Sequence, residues 1–346
     1  MSLNTDIINV ALAVYDPNGT YSQHAGVVMT SIFENTRSLV CVYILHDETL
    51  TESNREKFSR TAKKYGQSVV FVDVRKCVSR LDKATVNAAR KWSIGALFRL
   101  FIPDLLDIDK VIYLDCDILV RLDIRELWNT DAEDYCLAGV LDGSCNRRFF
   151  SLSYDSICDS LNGCPSSSYI NSGVLLMNLK RIREWGNLFQ MAMKWRIRHS
   201  HTNRCIDQDI LNSLFFGFIK FLDVKFNRRD NGWAFDPQKH DAPGSILHLT
   251  GPKPWNGFRG NLMERLYWKT YLRSVWGEDI TADKAVDLLC DMASRSPYMH
   301  RHTSRCYRQI GIRLFRDIFH PLLFTTIGIL LQEAFYRVRE CLSHEP

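Results

Sequence analysis

The chain has 346 residues, 46% of them hydrophobic and 24% charged, and a formal net charge of +5. Such a length buries a large core and allows one big α/β domain with an appendage, or two domains; the composition is that of an ordinary soluble globular protein. The 11 cysteines are scattered without a CxxC pair, and Cys41 and Cys116 fall inside apolar runs, so neither a zinc site nor a disulfide framework is supported.

The first residues, Met-Ser-Leu-Asn-Thr-Asp, have no basic or apolar signal-peptide region, which predicts a cytoplasmic protein. Ile7–Val14 reads as a buried strand, and Tyr15–Thr20 carries strong turn chemistry. A helix is expected over Gln23–Asn35, a second strand over Val40–Leu45, a polar helix over Ser53–Tyr65 and a third strand over Val69–Val72. This alternation predicts a parallel, doubly wound half-domain of nucleotide-binding type. A right-handed crossover places the Tyr15–Thr20 loop at the carboxyl edge of the sheet, and the lack of GxGxxG excludes a dinucleotide-type grip.

Ser93–Ile102 reads as a helix closed by Pro103, with Leu97, Leu100 and Phe101 on its apolar side and Arg99 between them. On spacing alone Arg99 reads more readily as a salt-bridge partner than as a ligand contact. Val111–Leu114 then has the pattern of a strand buried in a parallel sheet, running straight into Asp115-Cys-Asp117. Open α/β sheets bind ligands beyond the carboxyl ends of their strands, so both carboxylates are expected to face a crevice. Burying two like charges without compensation is costly, and the pair therefore implies a cation such as Mg²⁺ or Mn²⁺ bridging to phosphate. The bland alternative is one aspartate capping a turn and the other solvated.

Asp123–Trp128 reads as a short helical turn, and Leu137–Leu141 as a strand ending at Asp142. Tyr169–Asn178 places Asn171 and Gly173 just before another buried strand, where Gly173 permits a close backbone approach and Asn171 offers a donor and an acceptor. Leu179–His199 is read as one amphipathic helix with Trp185, Phe189, Ala192 and Trp195 on its core side. Asp207-Gln-Asp209 opens the helix Ile210–Phe216, a placement that the helix dipole alone would favour. His248 ends a short strand before a Gly-Pro turn, positioned to bind a metal or simply to pack. Lys253 sits in a rigid Pro-Lys-Pro context suited to phosphate.

The segment from Arg295 to the end holds eight arginines against four acidic residues, so the excess positive charge is concentrated there. Residues 305–319 form a basic amphipathic stretch, suited to an anionic membrane surface or to docking on the protein or a second subunit. Pro321–Leu331 is too short to span a bilayer.

These segments are similar to the family 8 retaining glycosyltransferases, of the bacterial lipooligosaccharide galactosyltransferase and glycogenin type, over roughly residues 7–270. Arg99 and Phe101–Leu106 resemble the family's arginine helix, and Asp115-Cys-Asp117 its Asp-x-Asp metal motif. Asn171–Leu179 resembles its Asn-x-Gly-Val segment, Asp207–Asn212 its Asp-Gln-Asp segment, and His248–Trp255 its last metal ligand and phosphate lysine. The resemblance implies a GT-A type doubly wound nucleotide-binding sheet over residues 1–275 and a helical, basic extension over 276–346. It implies UDP-glucose or UDP-galactose as donor, Mn²⁺ or Mg²⁺ as cofactor, and a glycan, lipid-linked glycan or glycoprotein as acceptor.

In that scheme Asp115, Asp117 and His248 hold the metal, and Gln208 and Asp207 are the catalytic residues, both orienting the sugar and Gln208 lying in the segment nearest the reacting carbon. Val14, Tyr15, Asp16 and Asn18 meet the nucleotide, although this loop departs from the family's usual Ala-Ala-Asp or Thr-Asn-Asp opening. Arg99, Cys116, Asp142, Asn171 and Ser172 line the sugar site with Asp115, and Gly251 and Lys253 meet phosphate. Variable loops, here Gly143–Ser168 and Arg228–Ala242, supply acceptor contacts, and the first has the composition of a mobile lid. Two rivals are a haloacid dehalogenase-type phosphohydrolase and a non-catalytic sugar nucleotide-binding protein. The phosphohydrolase class wants a small hydroxyl residue where Leu119 stands. No nucleic-acid module is recognised in the basic tail, whereas a homo-oligomer and a peripheral place on the inner membrane face are both compatible with it.

Overall fold

The computed structural model describes residues 7–89, 93–142, 166–199, 205–229, 244–251, 253–256, 262–281, 283–285 and 287–288. The expected basic helix at 305–319, the run Pro321–Leu331 and most of the two acceptor loops lie outside those residues. The chain divides into two compact units, one of residues 1–228 with 243–248, the other of 229–242 with 249–346.

In the first unit, β1 (Ile8–Val14), β2 (Val40–His46) and β3 (Ser68–Asp73) are joined by α1 (Ser22–Asn35) and α2 (Glu52–Lys64). β1 is apolar except for Asn9 and almost wholly buried, as suits a central strand covered on both faces. α2 is started by the Thr51 hydroxyl, which accepts from the Asn54 N–H. Further along come β4 (Lys110–Leu114), β5 (Ile118–Val120), β6 (Leu137–Leu141), β7 (Ile170–Asn178), β8 (Ile219–Phe221) and β9 (Ile246–His248). The main sheet has the order β3-β2-β1-β4-β7-β6-β8. From β3 to β4 all pairings are parallel, as expected, and the strand order reverses between β1 and β4. Beyond β4 the sheet becomes mixed, because β7 runs antiparallel to both β4 and β6.

Those antiparallel pairings position the site. β7 pairs Val174 with Leu114, and one step on the Asp115 N–H donates to the Gly173 carbonyl at 2.8 Å. β5 pairs antiparallel with β9, matching Ile118 with His248, so that His248 arrives beside Asp117. Asn171 and Gly173 therefore lie inside β7 rather than before it.

Two helical expectations change. Residues 94–101 form a 3-10 helix (Ile94–Phe101), and Pro103 sits in the first turn of the next helix, Ile102–Leu105, where its missing N–H costs nothing. Leu179–His199 is two helices, α3 (Leu179–Trp185) and α4 (Leu188–Arg198), broken at Gly186, whose φ of 129° no other residue adopts readily. Phe189, Ala192 and Trp195 are buried as expected, but the break turns Trp185 outward to 41% exposure. α5 (Ile206–Leu214) begins before Asp207, placing Asp207 and Asp209 in its first turn.

Candidate active site

At the end of β4, Asp115, Asp117 and His248 each bring one ligand atom within 4.8 Å of the others. His248 Nε2 lies 3.2 Å from Asp117 Oδ1 and 3.9 Å from Asp115 Oδ2. The cluster exists because residue 173 is glycine. A Cβ there would stand 2.2 Å from His248 Cε1 and 2.7 Å from Asp115 Oδ2, inside any allowed contact. Two carboxylates and an imidazole are a donor set suited to a divalent cation, and the space Gly173 leaves is what allows them to converge.

Arg99 is the hub beside this cluster, 3% exposed. Its Nη2 donates to Asp115 Oδ1 at 2.7 Å, its Nη1 to the Ser172 carbonyl at 2.5 Å, and its Nε lies 3.2 Å from Asp207 Oδ2. The guanidinium also covers the Tyr113 ring at 4.3 Å. Burial opposes the Arg99 charge, but Asp115 and Asp207 outweigh it and hold the pKa above its ordinary value. Arg99 is thus an ion-pair partner of Asp115 and Asp207. Burial raises the Asp115 carboxyl from its ordinary value, with Arg99 opposing and Asp117 adding to the rise. Burial also keeps the Tyr113 phenol protonated, and it donates to Asp115 Oδ1 at 2.9 Å.

A second group of side chains, built around the amides of Asn171 and Gln208, adjoins the first. Gln208 Oε1 accepts from the Ser172 N–H at 3.0 Å and from Asn171 Nδ2 at 3.1 Å, while Gln208 Nε2 donates to Asp142 Oδ2 at 3.0 Å. Ser172 Oγ donates to Asp207 Oδ2 at 2.9 Å. Asp209 stays out of this group, because Oδ2 accepts from the Cys205 N–H at 2.9 Å and Oδ1 from the Tyr169 hydroxyl at 2.5 Å. The fold thus brings together Arg99, Asp115, Asp117, Asp142, Asn171, Ser172, Asp207, Gln208 and His248, which lie far apart in sequence.

The first loop is organised by Asp16, which accepts from the N–H groups of Tyr21 and Ser22, from the Ser22 hydroxyl and from Asn54 Nδ2. Tyr15 is half-buried against Gly95, and Asn18 is exposed. Val14 is fully buried in the sheet. The Cys116 thiol, pushed up by burial and then by Asp115 and Asp117, donates to the Ala13 carbonyl at 3.2 Å and ties the ends of β4 and β1 together. Gly251 and Lys253 belong to the second unit, where Lys253 Nζ donates to the Leu249 carbonyl at 2.6 Å and Trp255 packs on Tyr267.

Two residues escaped the sequence reading. Tyr21 is kept protonated by burial and then by Cys116, Asp117 and Asp115, so its hydroxyl shares their surroundings. Asn227 is 1% exposed and bonds both His248 and Asn171. A Tyr at the far end of the first turn and an Asn after Phe226 carry only faint signals, since neither lies in a charged or glycine-bearing motif.

Residues 13–258 match the family model described as glycosyl transferase family 8. The chain belongs to that family. A putative glycosyltransferase of Haemophilus influenzae is 29% identical over 249 residues, covering 70% of this chain and 72% of the relative. The lipopolysaccharide 1,3-galactosyltransferase of Salmonella typhimurium is 24% identical over 296 residues, covering 79% and 80%. Among solved structures, the galactosyltransferase LgtC in complex with donor and acceptor sugar analogs superimposes with a TM-score of 0.64 at 26% identity, covering 77% of this chain and 96% of that one. This family 8 member is thus a glycosyltransferase of GT-A fold with an Asp-Asp-His group that could hold a metal. No helix among the described residues is long and apolar enough to cross a membrane.

Proposed function

We propose that the protein transfers glucose or galactose from a UDP-sugar, with Mn²⁺ or Mg²⁺, to a glycan, lipid-linked glycan or glycoprotein hydroxyl, retaining the anomeric configuration. The observation that carries this reading is the convergence of Asp115, Asp117 and His248 over Gly173, directly beside the Asp142–Asn171–Gln208 group. These three residues would hold the cation, which when bound supplies charge stabilisation for the departing diphosphate. Arg99 holds Asp115 and Asp207 in place, so it orients the site through them. Asp142, Asn171, Ser172 and Asp207 orient the sugar hydroxyls, and Tyr15, Asn18 and Tyr21 meet the nucleotide. Asp16 supports that loop from inside, its carboxylate being engaged with the loop's own donors.

Gln208 cannot serve as an ordinary nucleophile, because an amide is weakly nucleophilic and its oxygen already accepts from Ser172 and Asn171. It stands as a fixed dipole near the reacting carbon, and the acceptor hydroxyl attacks from the same face as the departing phosphate. Residues 276–346 are assigned as a basic extension that could meet an anionic inner-leaflet surface.

The test is donor hydrolysis over a panel of sugar nucleotides with Mn²⁺, using the wild-type protein and Asp117→Ala. UDP release from one hexose donor, lost in the variant, is expected. Phosphatase activity with no sugar nucleotide binding would instead favour the phosphohydrolase.

A further inference from the structure

We propose that Asn227 is a positioning residue that holds His248 in its Nδ1–H tautomer and ties that ring to Asn171, an inference that rests on the metal-assisted reading above. Backbone N–H groups can only donate, and one of them sets the polarity of the whole chain of amides. The Gly173 N–H meets Asn171 Oδ1 at 3.1 Å, which fixes the oxygen end of that amide. Asn227 approaches the same oxygen at 2.8 Å and must therefore present its NH₂ group. Its own Oδ1 is then left facing His248 Nδ1 at 3.0 Å. An amide oxygen accepts only, so the proton resides on Nδ1.

The consequence lies on the other side of the ring. With the Nδ1–H held by Asn227, Nε2 is the ring atom that faces Asp117 Oδ1 at 3.2 Å and Asp115 Oδ2 at 3.9 Å, so its lone pair would be offered to a cation held between them. A ligating imidazole needs that arrangement, with its remote N–H held by an acceptor. Asn227 is 1% exposed and so buried that bulk solvent has little access to the acceptor position. The second half of the amide serves the sugar end. Asn171, held at its oxygen by Asn227, directs its NH₂ to Gln208 Oε1 at 3.1 Å and to Asp142 Oδ2 at 3.5 Å. One side chain thereby fixes both the metal-facing ring and the sugar-facing amide.

The two halves separate by substitution. Asn227→Ala removes both contacts. Asn227→Asp keeps an acceptor for the imidazole N–H but has no hydrogen for Asn171 Oδ1. Mn²⁺ binding is read by electron paramagnetic resonance without nucleotide. The His248 tautomer is read from ring ¹⁵N shifts of the metal-free protein, assigned by their loss in His248→Gln. Asn227→Ala should weaken Mn²⁺ roughly 10–100-fold and shift the proton from Nδ1. Asn227→Asp should keep the proton on Nδ1 and nearly normal Mn²⁺ affinity, while UDP-sugar affinity in Mn²⁺ drops about tenfold.

Unchanged Mn²⁺ affinity and tautomer in Asn227→Ala would overturn the proposal, as would identical behaviour of the two variants. Should thermal melting show that Asn227→Ala does not fold, loss of the Nδ1 proton in Asn227→Asp overturns it alone, and its retention with weakened UDP-sugar binding supports it. A wild-type protein that binds no Mn²⁺ would sink the metal reading, while the metal-free tautomer comparison still decides the role of Asn227.

Discussion

Aspartates follow two neighbouring parallel strands, β1 and β4, and the chain uses them in opposite ways. After β1, Asp16 is 1% exposed and takes its partners from N–H groups, a hydroxyl and an amide of its own surroundings. After β4, Asp115 and Asp117 converge on each other and on His248, and Asp115 also pairs with Arg99. The identity of the residue is the same; the source of the partners differs. Neutral donors supplied by the loop make a carboxylate a structural brace. Carboxylates gathered beside one another work against folding and become useful when a cation arrives. Asp73, the last residue of β3, is a third case, held by the exposed Arg75 two residues on.

The largest effect is expected from Asp115→Ala or Asp117→Ala, each lowering transferase turnover roughly 10²–10³-fold. Thermal melting without metal should show little loss for Asp117→Ala, since the variant relieves like-charge crowding. Next is Gly173→Ala, whose Cβ would overlap His248 and Asp115. It should cost about 1–3 kcal/mol in urea denaturation and weaken Mn²⁺ binding in the same preparation. Asp16→Ala should cost about 1–3 kcal/mol, because buried donors lose their acceptor. Its Mn²⁺ affinity, measured well below the melting temperature, should stay near wild type, and a collapse there would erase the contrast between the two loops.

The smallest effect belongs to Asp73, whose pKa is lowered to about 2, first by its hydrogen bond with Arg75. A carboxylate depressed in the folded state contributes stability above its unfolded pKa, and loses it as pH falls from about 4 towards 2. Asp73→Asn should therefore flatten the stability profile slightly in that window. Salt should shrink the difference, because the pair is exposed.

The parallel half was legible because its strands are apolar runs and its helices are bounded by turn residues. Asp115-Cys-Asp117 was legible because a buried strand ending in two charges demands a reason. The break at Gly186 is hidden by amphipathic spacing that continues through it to Trp195, and Trp185 rests on Phe215 and Phe218 at 41% exposure instead of being buried. The antiparallel β7 was equally invisible, since a buried strand has the same composition whichever way its neighbour runs. Asn227 and Tyr21 could not be read from sequence, because their partners are set by the β5–β9 pairing and by the fold of the first loop. Arg99 is visible in sequence, but its pairing with Asp115 and Asp207 is not, because they stand 16 and 108 positions away.

The most direct measurement is UDP release from its hexose donor by EDTA-treated protein as Mn²⁺ is added back, with Asp117→Ala and Asp73→Asn alongside. Saturable recovery in the wild type and Asp73→Asn, and none in Asp117→Ala, is the predicted result. Full activity in EDTA, or recovery in Asp117→Ala matching the wild type, would contradict the assignment of the β4 carboxylates to metal-assisted sugar transfer.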